Sequence, residues 1–139
     1  MWGMTRNVRI LVVEAETPLA MLMVHLLTRA GCDVSAAPTG KRGMELAAET
    51  RFDLIVLDTR LPDVDGLEVC LELKQRHISR YTPIVFVSNH SNEEIKQPTL
   101  DAGAVDCITK PFEAKDFIFR ILSQVEQTKK ARTALEAVH

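Results

Sequence analysis

The chain has 139 residues, of which 46% are hydrophobic, 26% charged and only 5% aromatic; this aliphatic composition supports one buried core and excludes a disordered or fibrous chain. Nineteen acidic against seventeen basic residues leave a net charge of -2 and a pI near 6.1, so the basic excess that would hold a nucleic-acid backbone is missing and no direct nucleic-acid binding is expected. No apolar run approaches the roughly 18 residues of a membrane span and no secretory signal pattern is seen, which predicts a cytoplasmic protein without membrane contact.

The first apolar run, Val8 to Val13, predicts strand β1. Thr17 followed by Pro18 reads as an N-cap and first helical residue, opening helix α1 to Ala30 with Gly31 as its stop. Leu19, Met21, Leu22, Met23, Val24, Leu26 and Leu27 make α1 apolar nearly all round, so heavy packing is expected. His25 among them reads as a packed helix residue rather than a phosphohistidine. Cys32 to Ala37 is a weaker strand, β2. Thr39 caps α2, which runs to about Thr50 although Gly40 and Gly43 each cost roughly 1 kcal/mol relative to Ala. Leu54 to Leu57 forms β3. Asp65 with Glu68 resembles a capping box for α3, from Gly66 to about His77, and Asp63 beside it reads as a turn residue.

Ile84 to Val87 forms β4. Asn92, Glu93 and Glu94 open α4, but Pro98 lacks an amide donor before Ala102, which predicts a short, kinked or partly open segment. Val105 to Ile108 forms β5, and α5 begins after Pro111 and continues to Val138, about 26 residues or roughly 39 Å. Ile118, Ile121, Val125, Thr128, Leu135 and Val138 keep a loose seam that Thr128 and Arg132 interrupt, so residues 126–139 read as a helical extension or linker behind a domain of residues 1–125, with a dimer stalk as the alternative. Cys32, Cys70 and Cys107 are odd in number and lack CxxC spacing, which points to reduced, buried thiols.

Short, strongly apolar strands alternating five times with helices imply an open α/β fold with a parallel sheet covered on both faces. In such sheets ligands bind beyond the carboxyl ends of the strands. The residues there are Glu14, Ala15 and Glu16 after β1, Asp58 after β3, Ser88 and Asn89 after β4, and Thr109 and Lys110 after β5. Converging carboxylates raise one another's pKa unless a cation stands among them, so Lys110 or a divalent metal is implied. An all-oxygen set suits Mg2+.

The segments ILVVEAE (Ile10 to Glu16), FDLIVLDTRLPDVDG (Phe52 to Gly66), TPIVFVS (Thr82 to Ser88) and AGAVDCITKPF (Ala102 to Phe112) resemble the receiver domain of two-component response regulators, in order and at the right spacing. The resemblance implies a (βα)5 doubly wound, flavodoxin-like sheet of order 2-1-3-4-5. It implies that Asp58 accepts a phosphoryl group from a sensor histidine kinase or phosphotransfer protein, with Ser88 and Lys110 contacting the phosphoryl oxygens. Mg2+ would be held by Glu14, Asp58 and the backbone carbonyl of Arg60, and the Lys110–Pro111 peptide matches one that is often cis. The α4, β5 and α5 surface would then act on a partner or output domain and allow a homodimer, making the chain a phosphoacceptor signalling domain rather than an enzyme for an external substrate.

Two positions depart from the pattern. Ala15 stands where the family usually has a second metal-ligating acid, so weaker metal binding is expected, with Glu16 a candidate to reach back into the metal shell. Cys107 stands where the family has the aromatic that moves together with the Ser88-type hydroxyl. These departures motivate an alternative, a phosphorylation-independent docking module of the same fold. A hydrolase or nuclease built on Glu14, Asp63 and Asp65 is a third class. Arg60 and Lys41 read as surface charges, Arg60 as one that could replace lost cation density, and His90 as a solvated loop residue near the site.

Overall fold

In a computed structural model, which describes residues 8–89 and 92–138, the five apolar runs become β1 (Arg9–Val13), β2 (Asp33–Ala37), β3 (Leu54–Asp58), β4 (Ile84–Ser88) and β5 (Asp106–Thr109). They form one parallel sheet of order β2-β1-β3-β4-β5. Every residue of β3 and β4 is buried, as strands covered on both faces require. Alternation sends Leu11, Val13, Ile55, Leu57, Ile84 and Phe86 to one face, where Ala47, Val69, Cys70 and Leu73 of the helices α2 (Gly40–Glu49) and α3 (Gly66–Gln75) meet them. Ile10, Val12, Leu54, Val56, Val85 and Val87 face the other way, against Met23 and Leu27 of α1 (Thr17–Arg29) and Phe117, Ile121 and Val125 of α5 (Ala114–Val138). The remaining helix, α4 (Asn92–Asp101), sends Ile95 to the first face.

Several local expectations are corrected. The N-cap of α1 is Glu16, not Thr17: the Glu16 carbonyl already accepts from Ala20 N at 2.9 Å, and Pro18 is tolerated one position deeper because the first helical amides have no partner anyway. Gly31 does stop the helix, at φ 99°, with Gly31 N bonded to Thr28 O and Cys32 N to Leu27 O in a Schellman arrangement. Nor is α1 packed all round. Only Met23 and Leu27 are buried, Met21 and Leu22 stay 67% and 45% exposed, and His25 is exposed too.

Pro98 does not break α4, which runs continuously through it. The residue and Glu94, whose carbonyl loses the amide, both lie on the exposed side where water can serve that carbonyl, while Pro98's own carbonyl accepts from Ala102 N at 3.1 Å. Thr39 caps α2 through Arg42 N, and Asp65 caps α3 through Leu67 N rather than through Glu68 N. The glycines of α2 permit close approach, since a Cβ on Gly43 would stand 2.8 Å from Val13 Cγ2. Helix α5 is 25 residues long without interruption. Ile121 and Val125 of the predicted seam belong to the domain's own core, so they cannot line a stalk.

Candidate functional site

Parallel strands end at one edge, and the residues that immediately follow the apolar runs gather there. Glu14 leaves β1, Asp58 closes β3, Ser88 closes β4 and Lys110 follows β5. Lys110 Nζ lies 2.9 Å from Asp58 Oδ2 and 3.0 Å from Glu14 Oε1, with all three side chains at most 7% exposed. Lys110 N donates to Ser88 O at 2.7 Å, and the Lys110–Pro111 peptide is cis. Asp58 Oδ1 accepts from Arg60 N at 3.0 Å, and Glu14 Oε2 accepts from Glu16 N at 3.1 Å. Behind Asp58, a Cβ on Gly66 would overlap the Asp58 carbonyl oxygen, so the turn into α3 requires glycine where it crosses the acceptor's backbone.

One cation serves two buried carboxylates, and the electrostatics show the imbalance. Burial, and next the neighbouring Asp58, push the Glu14 carboxyl up to about 7. Burial disfavours the charge on Lys110, but its bonds to Asp58 and Glu14 outweigh that and hold its pKa above the ordinary value. Glu14 Oε1 is buried and, apart from the Lys110 ammonium at 3.0 Å, has no partner among the described residues. A buried acceptor with spare lone pairs, a second carboxylate beside it and a cleft of about 320 Å3 lined also by Ala15, Glu16 and Arg60 fit a small divalent cation with oxygen ligands. Among the described residues no three His, Cys, Asp or Glu side chains converge as a metal cage. Glu16 therefore lines the cleft without completing a third ligand.

The model of the response regulator receiver domain matches residues 10–122 of this chain. The chain belongs to that family. Response regulator ArlR of Staphylococcus saprophyticus is 36% identical over 119 residues, which are 86% of this chain and 53% of ArlR. The alkaline phosphatase synthesis transcriptional regulatory protein PhoP of Bacillus subtilis is 35% identical over 130 residues, 94% of this chain and 53% of PhoP. The chain spans about half the length of these curated relatives. Among solved structures, a CheY-like response regulator receiver domain protein from Methanospirillum hungatei superposes with a TM-score of 0.84 at 25% identity, covering 90% of this chain and 98% of that one.

Within this receiver domain the other candidates take definite places. Ala15 is exposed at the cleft, where its methyl offers no ligand. Cys107 is 6% exposed beside Thr99, its thiol pushed up chiefly by burial, and Cys32 and Cys70 are likewise buried and free. Arg60 and Lys41 are exposed. His90 lies outside the described residues. Asp65 is spent on its helix cap, and Asp63 accepts from Gly40 N and Lys41 N, each at 2.9 Å, so neither is turned to catalysis.

Two contacts escape a reading of the sequence. Asp63 ties the loop after Asp58 to the start of α2, and the two amides, Lys41 N first, hold its carboxyl below the usual range. Thr59, beside the acceptor, donates from Oγ1 to Ser88 Oγ at 3.1 Å in a buried contact. The one available signal was a hydroxyl residue directly after Asp58.

Proposed function

We propose that Asp58 is the phosphoacceptor of a two-component switch, taking its phosphoryl group from a phosphohistidine on a sensor kinase or phosphotransfer protein. The observation that carries this reading is the Asp58 carboxylate at the floor of an open cleft, 2.9 Å from a buried lysine and anchored through its other oxygen. A carboxylate oxygen forms the new P–O bond while the P–N bond to the imidazole breaks and its electron pair returns to the ring nitrogen. The work is positioning and charge neutralisation. Lys110 offsets the carboxylate charge and then that of the phosphoryl oxygens. Ser88 donates its hydroxyl to the phosphoryl group, and Thr59 Oγ1, 3.1 Å from Ser88 Oγ, holds that hydroxyl in place.

Glu14, Asp58 and the Arg60 carbonyl would hold Mg2+, which supplies charge neutralisation at the phosphoryl oxygens when bound. With Ala15 in place of an acid, metal affinity is weaker than a three-carboxylate site would give, and Glu16 at the rim is the residue able to compensate. Output runs through the α4, β5 and α5 side to a partner or output domain. Cys107 is too small to act there as a ring-sized lever, so the surface moves by another route. Residues 1–125 form the signalling unit and the α5 segment beyond them a linker.

The test is labelling with acetyl phosphate, with and without Mg2+, read by intact mass beside Asp58→Asn. One phosphoryl group gained only with Mg2+ and only in the wild type supports the acceptor. No gain at millimolar Mg2+ favours a docking module that works without phosphorylation. Ala15→Asp should tighten Mg2+ binding by about tenfold, and unchanged affinity would mean that Glu16 already serves.

A further inference from the structure

The α1–α5 side carries more apolar surface than the domain uses. Leu22 of α1, one turn before Leu26, is 45% exposed, and Phe119 of α5, at 71%, lines a groove together with Leu26, Ile118 and Leu122. Large apolar groups exposed together on one side mark an association surface. Lys115 and Glu126 close the two ends of the groove.

The order of residues along α5 identifies what covers it. Phe119 and Leu122 stand equally far on either side of the Arg120–Ile121 peptide, as do Ile118 and Ser123, and Lys115 and Glu126. Lys115, Phe119, Leu122 and Glu126 follow one another at steps of four, three and four, so they share a stripe on the helix. A stripe that reads cation, aromatic, aliphatic, anion is complementary to itself when reversed. We infer that a second copy of this chain docks here with α5 antiparallel to α5 about a two-fold axis, Phe119 packing on Leu122 of the other copy and Lys115 pairing with its Glu126 at both ends.

The charge now nearest Glu126 is Lys130 at 3.8 Å, in a pair 76% and 49% exposed that can be exchanged at little cost. The other flank of α5 differs. There Arg120 is already engaged by both oxygens of Asp106, at 2.9 and 2.6 Å, and by Asp116 at 3.4 Å, so its charge is satisfied within one chain. The inference does not depend on phosphorylation of Asp58.

Sedimentation equilibrium of the full chain at concentrations on the order of 100 µM tests it. The wild type should exceed the 15.6 kDa monomer and approach twice that mass. Lys115→Glu and Glu126→Lys should each weaken self-association by at least about tenfold, because like charges then meet at both ends. An equimolar mixture of the two variants should form a heterodimer, since each restores the other's partner, and that rescue excludes misfolding as the cause. Leu100→Lys, on the α4 side, should leave the dimer intact. A wild type that stays monomeric, single variants that still dimerise, a mixture that does not, or a dimer lost in Leu100→Lys would each overturn the inference.

Discussion

Where the strands begin, Arg9 N donates to the Asp53 carboxylate at 2.7 Å, the Ser79 hydroxyl to Leu73 O, the Thr82 hydroxyl to Phe52 O and the Lys74 ammonium to Thr82 O. Where the strands finish, two buried carboxylates share one ammonium, and among the described residues Glu14 Oε1 has no partner besides that ammonium. The same sheet thus carries a satisfied end and a frustrated end. Buried polar groups with partners stabilise modestly, whereas an unbalanced buried charge costs stability and creates demand for a ligand. One end is built to stay as it is and the other to bind.

The largest effect should come from Lys110→Met, which strands both carboxylates. Chemical denaturation at pH 8 should show a loss of about 3 kcal/mol, and acetyl-phosphate labelling should slow by about a hundredfold. Equal stability of variant and wild type would mean that the frustrated end is not frustrated.

The second effect is a pH slope. The folded-state pKa of Glu14, about 7, lies above the ordinary carboxylate value of 4.5, so in that window the folded chain binds more protons than the unfolded one. Its contribution therefore falls as pH rises from 4.5 to 7, by up to about 1.4 kcal/mol per pH unit, and is level above that. Subtracting the stability curve of Glu14→Gln from that of the metal-free wild type should isolate this descent. Asp63, whose pKa is depressed by backbone amides, acts in the opposite sense and only at lower pH, stabilising above its ordinary value and losing that as acid protonates it.

Smaller still is Ser79→Ala at the satisfied end. It should cost about 1 to 2 kcal/mol in denaturation while labelling stays unchanged; slowed labelling would break the division between the ends. The smallest is Thr59→Val, with about 1 kcal/mol lost and a few-fold shorter phosphoryl lifetime, both recovered in Thr59→Ser. In a Ser88→Ala background the lifetime effect should vanish, because Thr59 acts through Ser88.

The fold was readable because its central strands are runs such as Leu54 to Leu57 and Ile84 to Val87 with no charge in them, and the main site residues because each lies within two residues of the end of an apolar run. What stayed hidden depends on register and direction. Thr59 meets Ser88 only because β3 and β4 are aligned as Asp58 beside Val87. Asp63 reaches amides more than twenty residues away. In α1 a nearly unbroken apolar stretch concealed which side would be left bare, so His25 and Met21 were expected inside and are outside. Pro98 looked disruptive because the local rule counts a missing donor without knowing that its acceptor faces water.

The length of α5 adds a mechanical property. The helix is held against the sheet by Phe117, Ile121 and Val125, and its axis continues to Val138. At 1.5 Å per residue the span from Ile121 to Val138 is about 25 Å. A tilt of about 10° at the seat therefore swings the tip by roughly 4 Å. Such a tilt would turn a change of angle too small to disturb the core into a displacement about the width of a methyl group.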